Sequence, residues 1–167
     1  MTPAAYINIG TLTLIVAMIA LHVRTFIKGG KDPKILLSGL GGVIVGSSLA
    51  MCVGGALSSI AMYIAGGGNG ISGIAPWATG TGDRAIAAGS ASGLSMEGGI
   101  IAAVVAVLGW VTIRDADKTK RLRLIGGLFC GVCLTYTAGY GGLVDDSLIP
   151  FYNGLGAQLI AAVERLF

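Results

Sequence analysis

The sequence predicts an all-α integral membrane protein, with four transmembrane helices arranged as two hairpins and a C-terminal amphipathic helix. Three observations carry this prediction. Apolar residues make up 54% of the 167 positions and charged residues 11%, whereas a soluble domain carries about 25% charged residues. A chain with so few charges cannot cover a water-facing surface, so lipid is its natural solvent. Long uncharged runs reach the ~20 residues needed to cross a hydrocarbon core. Finally, nine of the eleven basic residues lie in two short connections. These are Arg24, Lys28, Lys31 and Lys34 in the first, and Arg114, Lys118, Lys120, Arg121 and Arg123 in the second.

The mean hydropathy of +0.83 agrees. Glycine, at 29 residues, shows no three-residue period, which excludes collagen, and the apolar content excludes disorder. One membrane domain is expected over residues 1–167. Its first span covers about residues 3–23. No Lys or Arg precedes this run, so a cleavable signal peptide is not expected. Pro33 suits a turn or the first turn of the next helix. The second span, about 35–65, is longer than one perpendicular crossing and must tilt, kink or protrude. A Gly-rich outer linker follows at 66–97, within which Arg84 to Met96 could form a short interfacial helix. The third span is about 98–113 and the fourth about 124–144. Asp145 and Asp146 are expected to stop the fourth span, and Pro150 to break the chain again. The tail 154–167 places Leu155, Leu159, Val163 and Leu166 on one helical face, which reads as amphipathic.

Basic side chains collect on the cytoplasmic side of membrane proteins. Both basic turns should therefore be cytoplasmic. Both termini and the Gly-rich linker then face outward, and the protein is a multi-pass component of the cell membrane.

Segment two carries a small residue at every fourth position, namely Ser38, Gly42, Gly46, Ala50, Gly54 and Ser58. Segment four repeats this with Gly127, Gly131, Thr135 and Gly139, and segment three offers Gly98, Ala102 and Ala106. Small residues four apart make a groove into which another helix backbone can settle, and in lipid such close contact drives association. Four spans cannot easily bury three stripes, so part of this surface is expected to pack subunits into a homo-oligomer. The two halves share a plan of apolar helix, basic turn and striped helix, although no residue-level repeat is apparent by eye.

Motifs for chemistry are sparse. Cys52, Cys130 and Cys133 lie in apolar runs and read as small buried side chains. Cys130 and Cys133 have redox or metal spacing, but no second pair or nearby His accompanies them. His22 stands near the cytoplasmic end of segment one and reads as an interfacial side chain reaching headgroups. Glu97 suits a helix N-terminus. Gly68 to Gly73 matches G-x-G-x-x-G without the βαβ frame that the motif needs. Asp145 and Asp146 could hold a cation with Asn153, but more simply mark the end of a span. Trp77, Tyr136, Tyr140, Phe151 and Tyr152 read as interface aromatics, with a core position as the alternative for the segment-four pair Tyr136 and Tyr140. No charge sits in mid-span, which disfavours an ion-coupled transporter. No catalytic, metal or cofactor site is expected, and the chain does not read as an enzyme. Bound lipid is compatible with the pattern. Nucleic acid could meet the basic turns, but topology already explains their charge.

Helix–KGGKDPK–helix (turn residues 28–34) and helix–RDADKTKRLR–helix (turn residues 114–123) are each an apolar hairpin with a short basic turn. This plan resembles the pilin subunits of conjugative type IV secretion pili, apparently twice over. The resemblance implies a structural subunit assembling into a filament or secretion component, with basic turns facing a lumen, lipid between subunits and an extracellular filament after assembly. The chain departs from that plan in its two hairpins, its Gly-rich linker and the absence of an expected leader peptide. A holin-like or channel-type pore former and an accessory subunit of a larger membrane complex are the other two readings. Membrane lipid, further copies of the chain and other membrane subunits are the partners these readings imply.

Overall fold

A computed structural model describes residues 6–72, 85–88 and 93–166. Among the described residues, seven α-helices and two short strands follow one another. Strand β1 (Tyr6–Asn8) leads into α1 (Ile9–Lys28), α2 (Pro33–Met51) and α3 (Gly55–Ser72). Strand β2 (Ala85–Ala88) precedes α4 (Met96–Asp115), α5 (Lys118–Thr135), α6 (Ala138–Leu143), a π-helical turn (Val144–Leu148) and α7 (Ile149–Glu164). The strands pair antiparallel, Tyr6 with Ala88 and Ile7 with Ala87. The fold is helical as expected, and this short pairing is an addition to it that supplies partners for backbone groups outside the helices. It also replaces part of the short helix expected at Arg84 to Met96. Residues 73–84 and 89–92 of the expected linker, Trp77 among them, lie outside the described residues.

Three helices, α1, α2 and α4, are long and apolar enough to cross a membrane. Nineteen residues of α2 at 1.5 Å each span about 28 Å, close to the ~30 Å hydrocarbon thickness. Polar caps set the helix starts. The Asp32 carboxylate accepts from the Lys34 amide at 2.9 Å, with Pro33 in the first turn of α2. Ser95 accepts from the Gly98 amide at 3.2 Å to open α4. Asp117 accepts from the Lys120 amide at 2.9 Å to open α5. Each side chain satisfies an amide that the helix itself leaves without a partner.

The second expected span, 35–65, is not one helix. It ends at Met51 and restarts at Gly55, because Gly54 and Gly55 adopt φ of +85° and +74°. Glycine takes this left-handed backbone without the steric cost met by other residues. The helical part continues to Ser72, into the expected linker. The fourth expected span, 124–144, also has different bounds. Capped by Asp117, α5 starts at Lys118 and takes in the basic turn. It ends at Thr135, and the chain then turns sharply into α6. Asp145 and Asp146 do not stop the helix but sit in the π turn, and Pro150 does not break the chain but lies in the first turn of α7. The wider turn, with the Ile149 amide donating to the Val144 carbonyl, accommodates a residue that lacks an amide proton. The helix expected from 154 therefore begins at 149. Ile149, Tyr152 and Gly156 are buried, while Leu155, Leu159, Val163 and Leu166 remain exposed.

Helix α2 is the centre of the bundle. In its span 56% of residues are buried, against 17% in α1 and in α4. Its main partner is α5, and the two run parallel. Gly42 meets Leu124, Gly127 and Leu128, whereas Gly46, one turn on, meets Leu128 and Val132.

The contacts of this pair repeat at a fixed offset. Gly42 and Gly127 stand 85 positions apart, as do Gly46 and Gly131. Gly42 faces the Leu124 carbonyl, the Leu128 amide and the Gly127 Cα. Gly127 faces the Gly39 carbonyl, the Val43 amide and the Gly42 Cα. These are the same contacts with the halves exchanged. The capping residues Asp32 and Asp117 obey the same offset, as do Leu37 and Leu122, Gly41 and Gly126, and Leu49 and Leu134. Packing between halves is reciprocal too, α1 lying on α5 and α4 on α2. The hairpins α1–α2 and α4–α5 are thus related by a pseudo-twofold axis that runs along the helices between Gly42 and Gly127. The positions matched at this offset are too few for the sequence alone to make the relation apparent.

Candidate helix seam and the clefts beside it

The small-residue stripes form a seam within one chain. A methyl group added to Gly42 would lie 2.8 Å from the Leu128 amide nitrogen, and one on Gly46 would lie 2.8 Å from that of Val132. One on Gly131 would lie 2.9 Å from the Val43 carbonyl carbon. Such backbone-to-backbone approach leaves no space for any side chain. Ser38 and Ala50 are buried beside the seam. Gly54 lies in the break after α2, Ser58 is half-buried on α3, and nothing would meet a methyl on Gly139 within 4 Å. The stripes of segments two and four thus face each other at Gly42, Gly46, Gly127 and Gly131, and separate beyond them.

Hydroxyls flank the seam where sequence reasoning placed none. Ser47 Oγ lies 3.1 Å from the Tyr140 hydroxyl, and Ser48 Oγ 2.6 Å from the Tyr152 hydroxyl. Ser48 also donates to the Ile44 carbonyl at 2.7 Å, so Tyr152 donates to Ser48. Tyr152 is buried rather than interfacial, and Tyr136 takes the core position that is the alternative for the segment-four pair. Asn153 accepts from both the amide and the hydroxyl of Ser95 at 3.0 Å, tying α7 to the start of α4. Polar residues inside an apolar run signalled these bonds, but their partners lie too far along the chain for spacing to identify. His22 does not simply reach outward. Its ring packs on Gly39, where a methyl would lie 2.8 Å from Nε2, and Nε2 has no hydrogen-bond partner among the described residues. Cys130 and Cys133 are buried free thiols and Cys52 is half-buried.

The two basic turns meet at one end of the bundle, because α2 and α5 run parallel and both begin there. Their charges are not equivalent. Arg24, Lys28, Lys31 and Lys118 are exposed. Arg114 pairs with Asp115 at 3.0 Å. Arg121 folds back on the end of α4, donating to the carbonyls of Ile113, Arg114 and Ala116 at 3.1, 2.7 and 3.3 Å. Lys34 and Lys120, also exposed, and the half-buried Arg123 line a cleft of about 470 Å³ with Ser38, Thr112, Asp117, Leu37, Gly41 and Leu124.

A second, apolar cleft of about 790 Å³ opens on the flank between α3 and α4. Gly67, Gly68, Ala103 and Ala106 lie on its walls, with Tyr63 and Trp110 largely exposed at its edge. Among the described residues no three His, Cys, Asp or Glu side chains could hold a metal ion. Comparisons with family models, curated proteins and solved structures find no match to this chain.

Proposed function

We propose that this chain is a non-enzymatic, multi-pass structural subunit that associates with further copies of itself in the cell membrane, as a component of a pilin-like filament or of a secretion assembly. The apolar cleft between α3 and α4 carries the reading. In lipid, small residues on a helix surface favour close approach of another helix. The glycines of the α2–α5 seam are already occupied within the chain, whereas Gly67 and Ala103 are exposed. The self-association surface is therefore assigned to this flank rather than to the stripes of segments two and four. The chain crosses four times, counting α5 with the helix beyond its bend as one span. Both termini lie outside, and the basic turns lie in the cytoplasm or, in a filament, face its lumen.

A pore within one chain has less support, since backbone contact between Gly42 and Gly127 closes the pseudo-twofold axis. An accessory-subunit role would use the same flank with a different partner.

Gly67→Leu tests the assignment. A methyl at Gly67 meets nothing within 4 Å, so the variant should fold as the parent does. It should shift the mass in lipid nanodiscs from oligomer to monomer. A parent protein that is itself monomeric, or an unchanged oligomer in the variant, would remove the flank as the interface.

A further inference from the structure

We infer that the cleft between the two basic turns binds the phosphate of an anionic phospholipid. The charges around this cleft are unbalanced. Asp32 and Asp117, the carboxylates that open α2 and α5, each accept an amide of their own helix. Asp117 also lines the cleft, so one carboxylate stands there against the three cations Lys34, Lys120 and Arg123. None of these three makes an ion pair among the described residues. The parallel seam adds to the imbalance. It sets the N-termini of α2 and α5 side by side, each carrying the partial positive charge of a helix start. An anion at this end would offset both.

The internal repeat shows that topology alone does not demand this arrangement. At the 85-residue offset, Leu37, Ser38 and Gly41 correspond to Leu122, Arg123 and Gly126. The latter three line a related cleft of about 230 Å³ with His22 and Thr25. The positions that supply Lys34, Lys120 and Arg123 to one cleft are occupied in the other half by Thr119, Ile35 and Ser38. Arg123 borders both clefts. A general excess of basic residues on one membrane face would be met by placing them in either half, yet three cations line one of the two related clefts and Arg123 alone lines the other.

The place and lining favour a lipid over a free anion. Leu37, Gly41 and Leu124 form an apolar floor beneath the cations. A phosphodiester could sit on the rim while its acyl chains continue along the bundle. Basic pockets between membrane helices recognise anionic headgroups in this way. The inference rests on the membrane placement of the chain and not on its self-association.

The test uses the full chain in nanodiscs of phosphatidylcholine with and without phosphatidylglycerol, with retained lipid counted by native mass spectrometry. Each cation near an anionic surface is worth about fivefold in affinity. The triple variant Lys34→Gln/Lys120→Gln/Arg123→Gln should therefore retain phosphatidylglycerol roughly 100-fold more weakly. The control Arg24→Gln/Lys28→Gln/Lys31→Gln removes the same charge outside the cleft and should cost clearly less, because it loses only the diffuse surface attraction and no direct contact with the phosphate. Equal losses in the two variants would overturn the site, as would no preference for phosphatidylglycerol in the parent. Displacement of the lipid by millimolar inorganic phosphate would assign the cleft to a free anion and overturn the lipid. Unchanged thermal unfolding of both variants in phosphatidylcholine alone would show that any loss is of binding and not of fold.

Discussion

Gly46→Leu is expected to unfold the bundle rather than merely to weaken contacts between copies. The Cβ it introduces would meet the Leu128 carbonyl and lie 2.8 Å from the Val132 amide. Both are helix backbone and cannot rotate away, so α2 and α5 must separate along the whole seam. Overpacking of a rigid core costs about 3 kcal/mol, and forced separation of the main helix pair puts this site at the upper end. For a chain of this length that is a loss of roughly 10 °C in thermal midpoint, read in mild detergent. Gly131→Leu, its counterpart at the 85-residue offset, should behave alike because it meets Val43 in the same way. Gly139→Leu is the control. It belongs to the same sequence stripe but meets nothing within 4 Å, so its effect should stay within about 0.5 kcal/mol. Equal tolerance of all three substitutions would mean that the α2–α5 seam is wrongly drawn.

Asn153→Ala should release the end of the bundle where α7 packs on α4. The Asn153 side-chain oxygen accepts from both the amide and the hydroxyl of Ser95, and Ser95 in turn caps Gly98. Truncation leaves a backbone amide and a hydroxyl without this partner, in a site partly shielded from water. Stranding such groups costs about 1–3 kcal/mol each, though measured hydrogen bonds between membrane helices average about 0.6 kcal/mol. The expected sum is about 2 kcal/mol, and it should be local. Amide exchange over Ile149–Glu164 and the first turn of α4 should speed up, while exchange in the α2–α5 seam stays unchanged. Faster exchange across the whole chain would show instead that the seam and the α4–α7 contact unfold as one unit.

Much of this structure is legible in the residues, and the parts that are not have identifiable causes. Charge scarcity and uncharged runs place the chain among membrane-spanning folds, because lipid penalises charge whatever the packing. The fourfold spacing of Gly42, Gly46, Gly127 and Gly131 marks a helix seam, because only small residues allow backbones to touch. The same spacing misleads at Gly54, which continues the stripe in sequence but ends the helix in space. Its neighbour Gly55 was the available signal, since adjacent glycines past an apolar run suit a left-handed helix stop. The internal repeat is hidden because apolar residues substitute freely against lipid. Positions with a strict steric or capping role, such as Asp32 with Asp117 and Gly42 with Gly127, are among the few that keep their identity. The gathering of the basic turns on one side was legible from the spacing of the apolar runs. Their division among a helix cap at Arg121, an ion pair at Arg114 and a shared cleft depends on α2 and α5 running parallel, which spacing does not reveal.

If α2 and α5 stand parallel in a membrane, both basic turns lie on one face of it. Single cysteines in place of Lys31 and Lys118, in a chain with Cys52, Cys130 and Cys133 changed to alanine, test this most directly. Both positions are exposed in the two turns. In sealed, oriented vesicles a membrane-impermeant thiol reagent should label both from the cytoplasmic face and neither from the other. Labelling of the two positions from opposite faces would contradict the parallel arrangement and the repeat built on it.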